Sequence, residues 1–301
     1  MRALLEAATM HSKPRQLTVF TMWSAALALA FAAMLPPAGA TLNNSHHNPE
    51  ASLPLSTAAR WLRRVRSDRY SAPDPAWLRR FADAVPLGSA SDDDAWRALG
   101  FEPRRTSGSL WLRETAPAAG RGAYALRDSS GLLLQAPHAD TDVGTGEIAL
   151  RLFEETHARA LALNNVRRDT APGADQARSP LGPFVRMATA LAEQDPALCV
   201  VQLHGFSHHT AKRLTLSTDA IVVGGGSDDH NASLAACLRK RGFPAQATSA
   251  ATRDLAGRGN AVGIALQRLG RGRFIHLELG PDQRDRLLRD STARSRLWQC
   301  L

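Results

Sequence analysis

Leu132-Leu133-Leu134-Gln135-Ala136-Pro137-His138-Ala139-Asp140-Thr141-Asp142-Val143-Gly144-Thr145-Gly146-Glu147-Ile148-Ala149 is the stretch on which the fold turns. Its first five residues carry no charge and end at a proline, which cannot donate to a sheet ladder, so they read as a short buried strand. From Gly146 to Arg159 the apolar residues Ile148, Leu152 and Phe153 recur at helical spacing. A strand that passes through a polar turn directly into a helix is the repeating unit of an α/β sheet.

The same alternation continues on both sides. Ser109 to Arg113 and Gly122 to Leu126 read as earlier strands, and Ala160 to Leu163, Leu198 to Leu203, Ala220 to Val223 and Phe274 to Leu279 as later ones. Helical spacing falls between them at Phe184 to Glu193 and at Ala232 to Arg241, where Gly242 supplies a stop. A long Arg-rich helix over Asp282 to Trp298 closes the chain. The expected fold is α/β, a mixed and mostly parallel central sheet with helices on both faces. In such sheets ligands gather at the carboxyl ends of strands.

Ionisable residues sit where that rule places them. Leu132 to Ala136 delivers His138 and the pair Asp140 and Asp142, Leu198 to Leu203 delivers His204, and Glu278 lies late in an otherwise apolar strand. Two imidazoles and one carboxylate suit zinc with a coordination position left for water. Glu278 would then take a proton from that water. Each residue also has an ordinary structural reading. A histidine at a strand end is commonly a hydrogen-bonded structural residue, and Asp142 before Gly144-Thr145-Gly146 suits a helix cap. Glu278 has the strongest individual case, because an acid buried among Ile275, Leu277 and Leu279 is costly without a partner.

Pro137 to Ala149 resembles the P-H-G-G-x-I-E-x-G-T-S-E-I-A segment of phage-type poly-γ-glutamate hydrolases, members of the zinc carboxypeptidase superfamily. Gln202-Leu203-His204-Gly205 looks like their second histidine strand, and His276-Leu277-Glu278-Leu279-Gly280 like the strand that bears the catalytic glutamate. The resemblance implies a zinc-carboxypeptidase-like fold, zinc on His138, Asp142 and His204, and Glu278 as general base and acid. It departs from the pattern at the carboxylate ligand, where Asp replaces Glu in a loop one residue shorter. Whether Asp142 or Asp140 faces the metal is therefore open at this point. Thr141 stands where an H-x-x-E motif would put its glutamate, and no motif locates a substrate-binding Arg or Tyr. Arg167 and Arg168, after Asn164-Asn165, are the nearest candidates for gripping a substrate carboxylate with a bidentate fork. Tyr70 and Tyr124, the only tyrosines, lie in no promising loop.

Other features weigh less. His208 and His209 lie near His204, Gly224-Gly225-Gly226 lacks both the G-x-G-x-x-G pattern and a P-loop lysine, and Asn260 either orients the site or shapes a turn. Composition narrows the class further. With 44% apolar and 22% charged residues in 301, the chain has the balance of a folded protein of one moderate domain or two small ones. The net charge of +9 comes from arginine, since Lys13, Lys212 and Lys240 are the only lysines. No basic run interleaves with aromatics, and Trp61-Leu62-Arg63-Arg64-Val65-Arg66 is short enough to be a solvated helix face, so nucleic acid is not an expected partner.

Lys13 and Arg15 precede the uncharged stretch Leu17 to Leu35, and Pro36-Pro37-Ala38-Gly39-Ala40 supplies a small-residue processing site. Residues 1–40 read as a secretory signal peptide, residues 41–108 as a linker with helices, and residues 109–301 as the α/β domain. Cleavage leaves no span for stable membrane association and places the product in the periplasm or medium, where one disulfide among Cys199, Cys237 and Cys300 is compatible with the compartment. The expectation is an exported zinc-dependent hydrolase acting on an amide bond in a peptide-like, γ-glutamyl or acyl-amino-acid substrate. The competing reading is a periplasmic binding protein on a catalytically degenerate version of the same scaffold.

Overall fold

The computed structural model describes residues 56–301, apart from residues 65, 107 and 130; the expected signal peptide over 1–40 lies outside the described residues. Helices α1 (Thr57–Leu62), α2 (Pro75–Ala84) and α3 (Asp93–Ala98) come first. Each starts on a side-chain cap, from Ser56, Asp74 and Asp92, which accepts an otherwise unpaired first-turn N–H. Then follow β1 (Phe101–Thr106), β2 (Ser109–Glu114), β3 (Ala123–Arg127), β4 (Leu132–Ala136), α4 (Thr145–Glu155), β5 (Ala160–Leu163), α5 (Pro183–Gln194), β6 (Cys199–Gly205), α6 (His208–Arg213), β7 (Ile221–Gly224), α7 (Asp228–Lys240), β8 (Ala245–Ala247), α8 (Ala261–Leu269), β9 (Arg273–Leu279), α9 (Pro281–Arg289) and α10 (Ser291–Trp298).

Among the described residues nine strands form one mixed sheet in the order β1-β2-β3-β5-β4-β6-β9-β7-β8. Its centre, β5-β4-β6-β9, is parallel, while β1, β2 and β3 add to one side antiparallel and β7 meets β9 antiparallel on the other. The sheet begins earlier than residue 109, because β1 pairs with β2 along its whole length. The single closing helix expected over Asp282 to Trp298 is two. Asp290 leaves the helical region at φ −115°, ψ 105° and its carboxylate accepts from Ala293 N, so it ends α9 and caps α10.

Strand alternation sends successive side chains to opposite faces. Leu132, Leu134, Cys199, Val201, Leu203, Ile275, Leu277 and Leu279 enter one core, with Ile148, Leu152 and Phe153 of α4 and with residues of α1, α7, α9 and α10. Leu133, Val200 and Phe274 enter the other, under α2, α5 and α8. On this second face the strands change character part-way along. Toward their carboxyl ends the same rows continue as Gln135, Gln202, His204, His276 and Glu278, every one of them buried. The register aligns Gln135 with Gln202, Gln202 with His276, and His204 with Glu278. Along β4, β6 and β9 this face thus passes from a hydrocarbon core to a polar floor.

Cys237, near the end of α7, is bonded to Cys300 beside the C-terminus, and Cys199 is a free buried thiol.

Candidate metal centre

The polar floor faces a cavity of about 930 Å³ lined by His138, Asp142, Arg168, Asp175, His204, His276, Glu278 and Arg284 among others. Three donor atoms converge there. His138 Nδ1 lies 3.2 Å from His204 Nδ1 and 3.4 Å from Asp142 Oδ2, and His204 Nδ1 lies 3.6 Å from the same oxygen. Donors about 2.0–2.1 Å from a tetrahedral zinc are separated by about 3.3 Å, so the set has the right spread. Asp142, rather than Asp140, completes it. Asp140 turns away to Arg66 at 3.1 Å.

The outward nitrogens are those left bare by the hydrogen bonds of the others. His138 Nε2 lies 2.9 Å from Asp175 Oδ1, and His204 Nε2 lies 3.0 Å from Gln202 Oε1. With a proton on each Nε2, two lone pairs confront one another across 3.2 Å, a repulsion that a proton or a metal ion between them relieves. The donor chemistry therefore fits zinc. Asp142 Oδ2 also accepts from Gly205 N at 3.1 Å, so each of the three ligands is held by a second group.

The electrostatics point the same way. Burial disfavours charge on His138, but hydrogen bonds and charge from Asp142 and Asp175 outweigh it and raise its pKa to about 9. Burial works against ionised Asp142 as well, yet His138 and His204 hold its carboxyl well below the ordinary range. His204, fully enclosed and beside His276, is pushed down to about 4. Each shift thus favours a protonated His138 beside an ionised Asp142.

Glu278 is 9% exposed, and its Oε1 lies 3.1 Å from His276 Nε2. His276 Nδ1 is buried and has no hydrogen-bond partner, and its ring packs 4.3 Å, centroid to centroid, from His204. Gly257 permits this arrangement. At φ +64°, a Cβ there would stand 2.7 Å from the His276 ring. Arg284, from α9, spans the rear of the site, donating from Nε to Val143 O at 2.7 Å and from Nη1 to Phe206 O and Leu279 O.

The two candidate arginines part company. Arg168 lines the cavity with Nη1 3.2 Å from His138 Nδ1, whereas Arg167 is bonded to Asp169 through Nε and Nη2, outside that cavity. Tyr124 is enclosed among aromatics and donates to Arg121 O, away from the centre. His208 reaches the rim. The Asp142 side chain caps no helix, since α4 begins from Gly144 without a side-chain cap. Asp175, Gln202, Gln135 and His276 were not expected at the site. Strand period two would have found His276 from Glu278 and Gln202 from His204, two residues apart on one face; Asp175, in an irregular segment, has no such signal.

A mixed α/β sheet carrying two histidines and a carboxylate at the ends of parallel strands defines an α/β protein with a candidate metal centre. No protein-family model matches the chain, and no curated protein does. Among solved structures it is similar to a bacteriophage poly-γ-glutamate hydrolase, with 16% identity and a TM-score of 0.36 over 58% of this chain and 83% of that one. It is likewise similar to N-formylglutamate amidohydrolase from Ralstonia eutropha, with 12% identity and a TM-score of 0.35 over 60% of this chain and 94% of the other. Succinylglutamate desuccinylase from Chromobacterium violaceum gives 14% identity and a TM-score of 0.34 over 77% and 73% of the two chains.

Proposed function

We propose that this chain is a zinc-dependent hydrolase of an amide bond in a peptide-like or acyl-amino-acid substrate. The observation that carries the reading is the convergence of His138 Nδ1, His204 Nδ1 and Asp142 Oδ2 within 3.2–3.6 Å of one another, with a carboxylic acid, Glu278, in the same cavity. When bound, zinc supplies Lewis acidity that polarises the scissile carbonyl and acidifies the attacking water.

The chain's own groups do the rest. His276 holds Oε1 of Glu278, leaving Oε2 to take the proton from water and return it to the departing amine nitrogen. Arg168 lines the same cavity, with Nη1 3.2 Å from His138 Nδ1, and its guanidinium is the group placed to hold a substrate carboxylate by a two-point contact. Export to an oxidising compartment is part of the same proposal. The N-terminal leader pattern and the Cys237–Cys300 disulfide support it.

The test begins with metal content. The purified chain is expected to hold about one zinc, as three protein ligands with one open position require, and to hydrolyse at least one member of a panel of peptide, γ-glutamyl and N-acyl amides. His204→Ala should lose the zinc. A chain that stays zinc-free after reconstitution, or a loaded one inert toward the whole panel, sinks the assignment and leaves a binding scaffold.

A further inference from the structure

We propose that Gln202, itself fixed by Gln135 and Asn260, is a positioning residue that decides which nitrogen of His204 faces the metal. The inference rests on the reading of His138, Asp142 and His204 as a zinc centre. A glutamine amide can be turned either way about its last bond, so its orientation follows from its partners. Here two independent ends demand the same one.

From one end, the main-chain carbonyl of Phe184 only accepts, so Gln135 presents Nε2 to it at 3.1 Å. Gln135 Oε1 then faces Gln202 and takes a hydrogen bond from Gln202 Nε2 at 2.7 Å. From the other end, Asn260 Oδ1 accepts from Val262 N at the start of α8, so its Nδ2 is the group that meets Gln202 Oε1, at 2.6 Å. Both routes point the Gln202 oxygen toward His204 Nε2, 3.0 Å away. That oxygen has no proton to give. The imidazole hydrogen must sit on Nε2, and Nδ1 is left bare toward His138 and Asp142.

Nothing can substitute for this relay. Gln135 and Gln202 are fully enclosed, and His204 and Asn260 are each 4% exposed, so no solvent stands by to accept from Nε2. His138 is held differently, by the partly exposed carboxylate of Asp175, which pushes charge into its ring. The neutral amide behind His204 fixes a tautomer without adding charge to the centre.

The relay is testable in the full folded chain without any assay of turnover. Two-bond ¹⁵N–¹H correlations on metal-free wild type should show His204 as the Nε2–H tautomer. Gln202→Leu should raise the zinc dissociation constant, read by competition with a chromophoric chelator, by about ten- to a hundredfold, the usual weight of an outer hydrogen bond on a metal ligand. Gln202→Glu, as a neutral acid donating to Gln135 Oε1 and accepting from His204 with its other oxygen, should recover most of that loss, which a merely structural role would not predict. Should the Leu variant fail to fold, Gln202→Met, unbranched like glutamine and without its amide oxygen, gives the same comparison. A wild type that binds zinc but shows Nδ1–H at His204 overturns the relay alone, as does a folded Gln202→Leu chain with zinc affinity within twofold of wild type. A wild type that binds no zinc overturns the reading of the centre itself.

Discussion

Glu278 and His276 sit two residues apart on β9 and face the same cavity, so a short segment supplies an acid and the group that holds it. Glutamine has nearly the same shape as glutamate but takes no proton. Glu278→Gln is therefore expected to keep the fold and the zinc while turnover falls by about a hundredfold or more, the scale of acid–base catalysis. Melting temperature, zinc content and rate measured on one preparation check it; retained turnover would refute the role. His138, His204 and Glu278 stood out in the sequence as candidates because each lies on or just after an apolar run, where a charged or polar residue is conspicuous, whereas Asp142 could not be told from Asp140 until the turn after β4 was seen to send Asp140 to Arg66. Arg168 could not be separated from Arg167 by spacing, since the two are neighbours in a loop whose course only the folded chain reveals. Arg168→Ala should raise KM for a substrate bearing a free carboxylate more than for its amide, whereas Arg167→Ala should change neither.

At the scale of elements, period two and period 3.6 identified the central strands and most helices, and what escaped had little pattern to offer. β1 contains Pro103 and the charged Glu102, Arg104 and Arg105. A strand at a sheet edge tolerates both, and neither reads as a strand. β8 is three residues long. The break at Asp290 was hidden for a different reason, because Asp282 to Trp298 keeps helix-compatible residues throughout and only the competition of one carboxylate for Ala293 N ends the first helix. Asp290→Ala removes that cap. The expected cost is about 1 kcal/mol, measurable by denaturant unfolding; no loss of stability would mean that packing of α9 against α4 alone sets the break.

The molecule as a whole is closed by the Cys237–Cys300 bond across 63 residues, which include β8, α8 and β9. Opening it with paired serines should lower stability by about 2–4 kcal/mol through the freer unfolded chain. The response of melting temperature to pH follows from the two histidines of the centre. With its folded pKa raised to about 9, His138 contributes stability that is complete below about 6.5 and lost as pH rises through 9. His204, depressed to about 4, acts oppositely, so its share grows from pH 4 to about 6.5. Metal-free protein should thus be most stable near pH 6.5 as far as this pair decides it, and zinc should abolish the alkaline decline by taking the place of the proton. A chelated chain whose melting temperature is flat between pH 6.5 and 9.5 would contradict this. Arg284 ties α9 to the segments around the centre. Its guanidinium binds the carbonyls of Val143, Phe206 and Leu279, one from each segment that follows His138, His204 and Glu278 in the chain, although α9 itself bears no ligand. Local openings that free those carbonyls must strip a buried cation of its acceptors, so they are coupled into one cooperative event. Amide hydrogen exchange in α9 should therefore slow when zinc is added, making a helix outside the ligand set a reporter of occupancy.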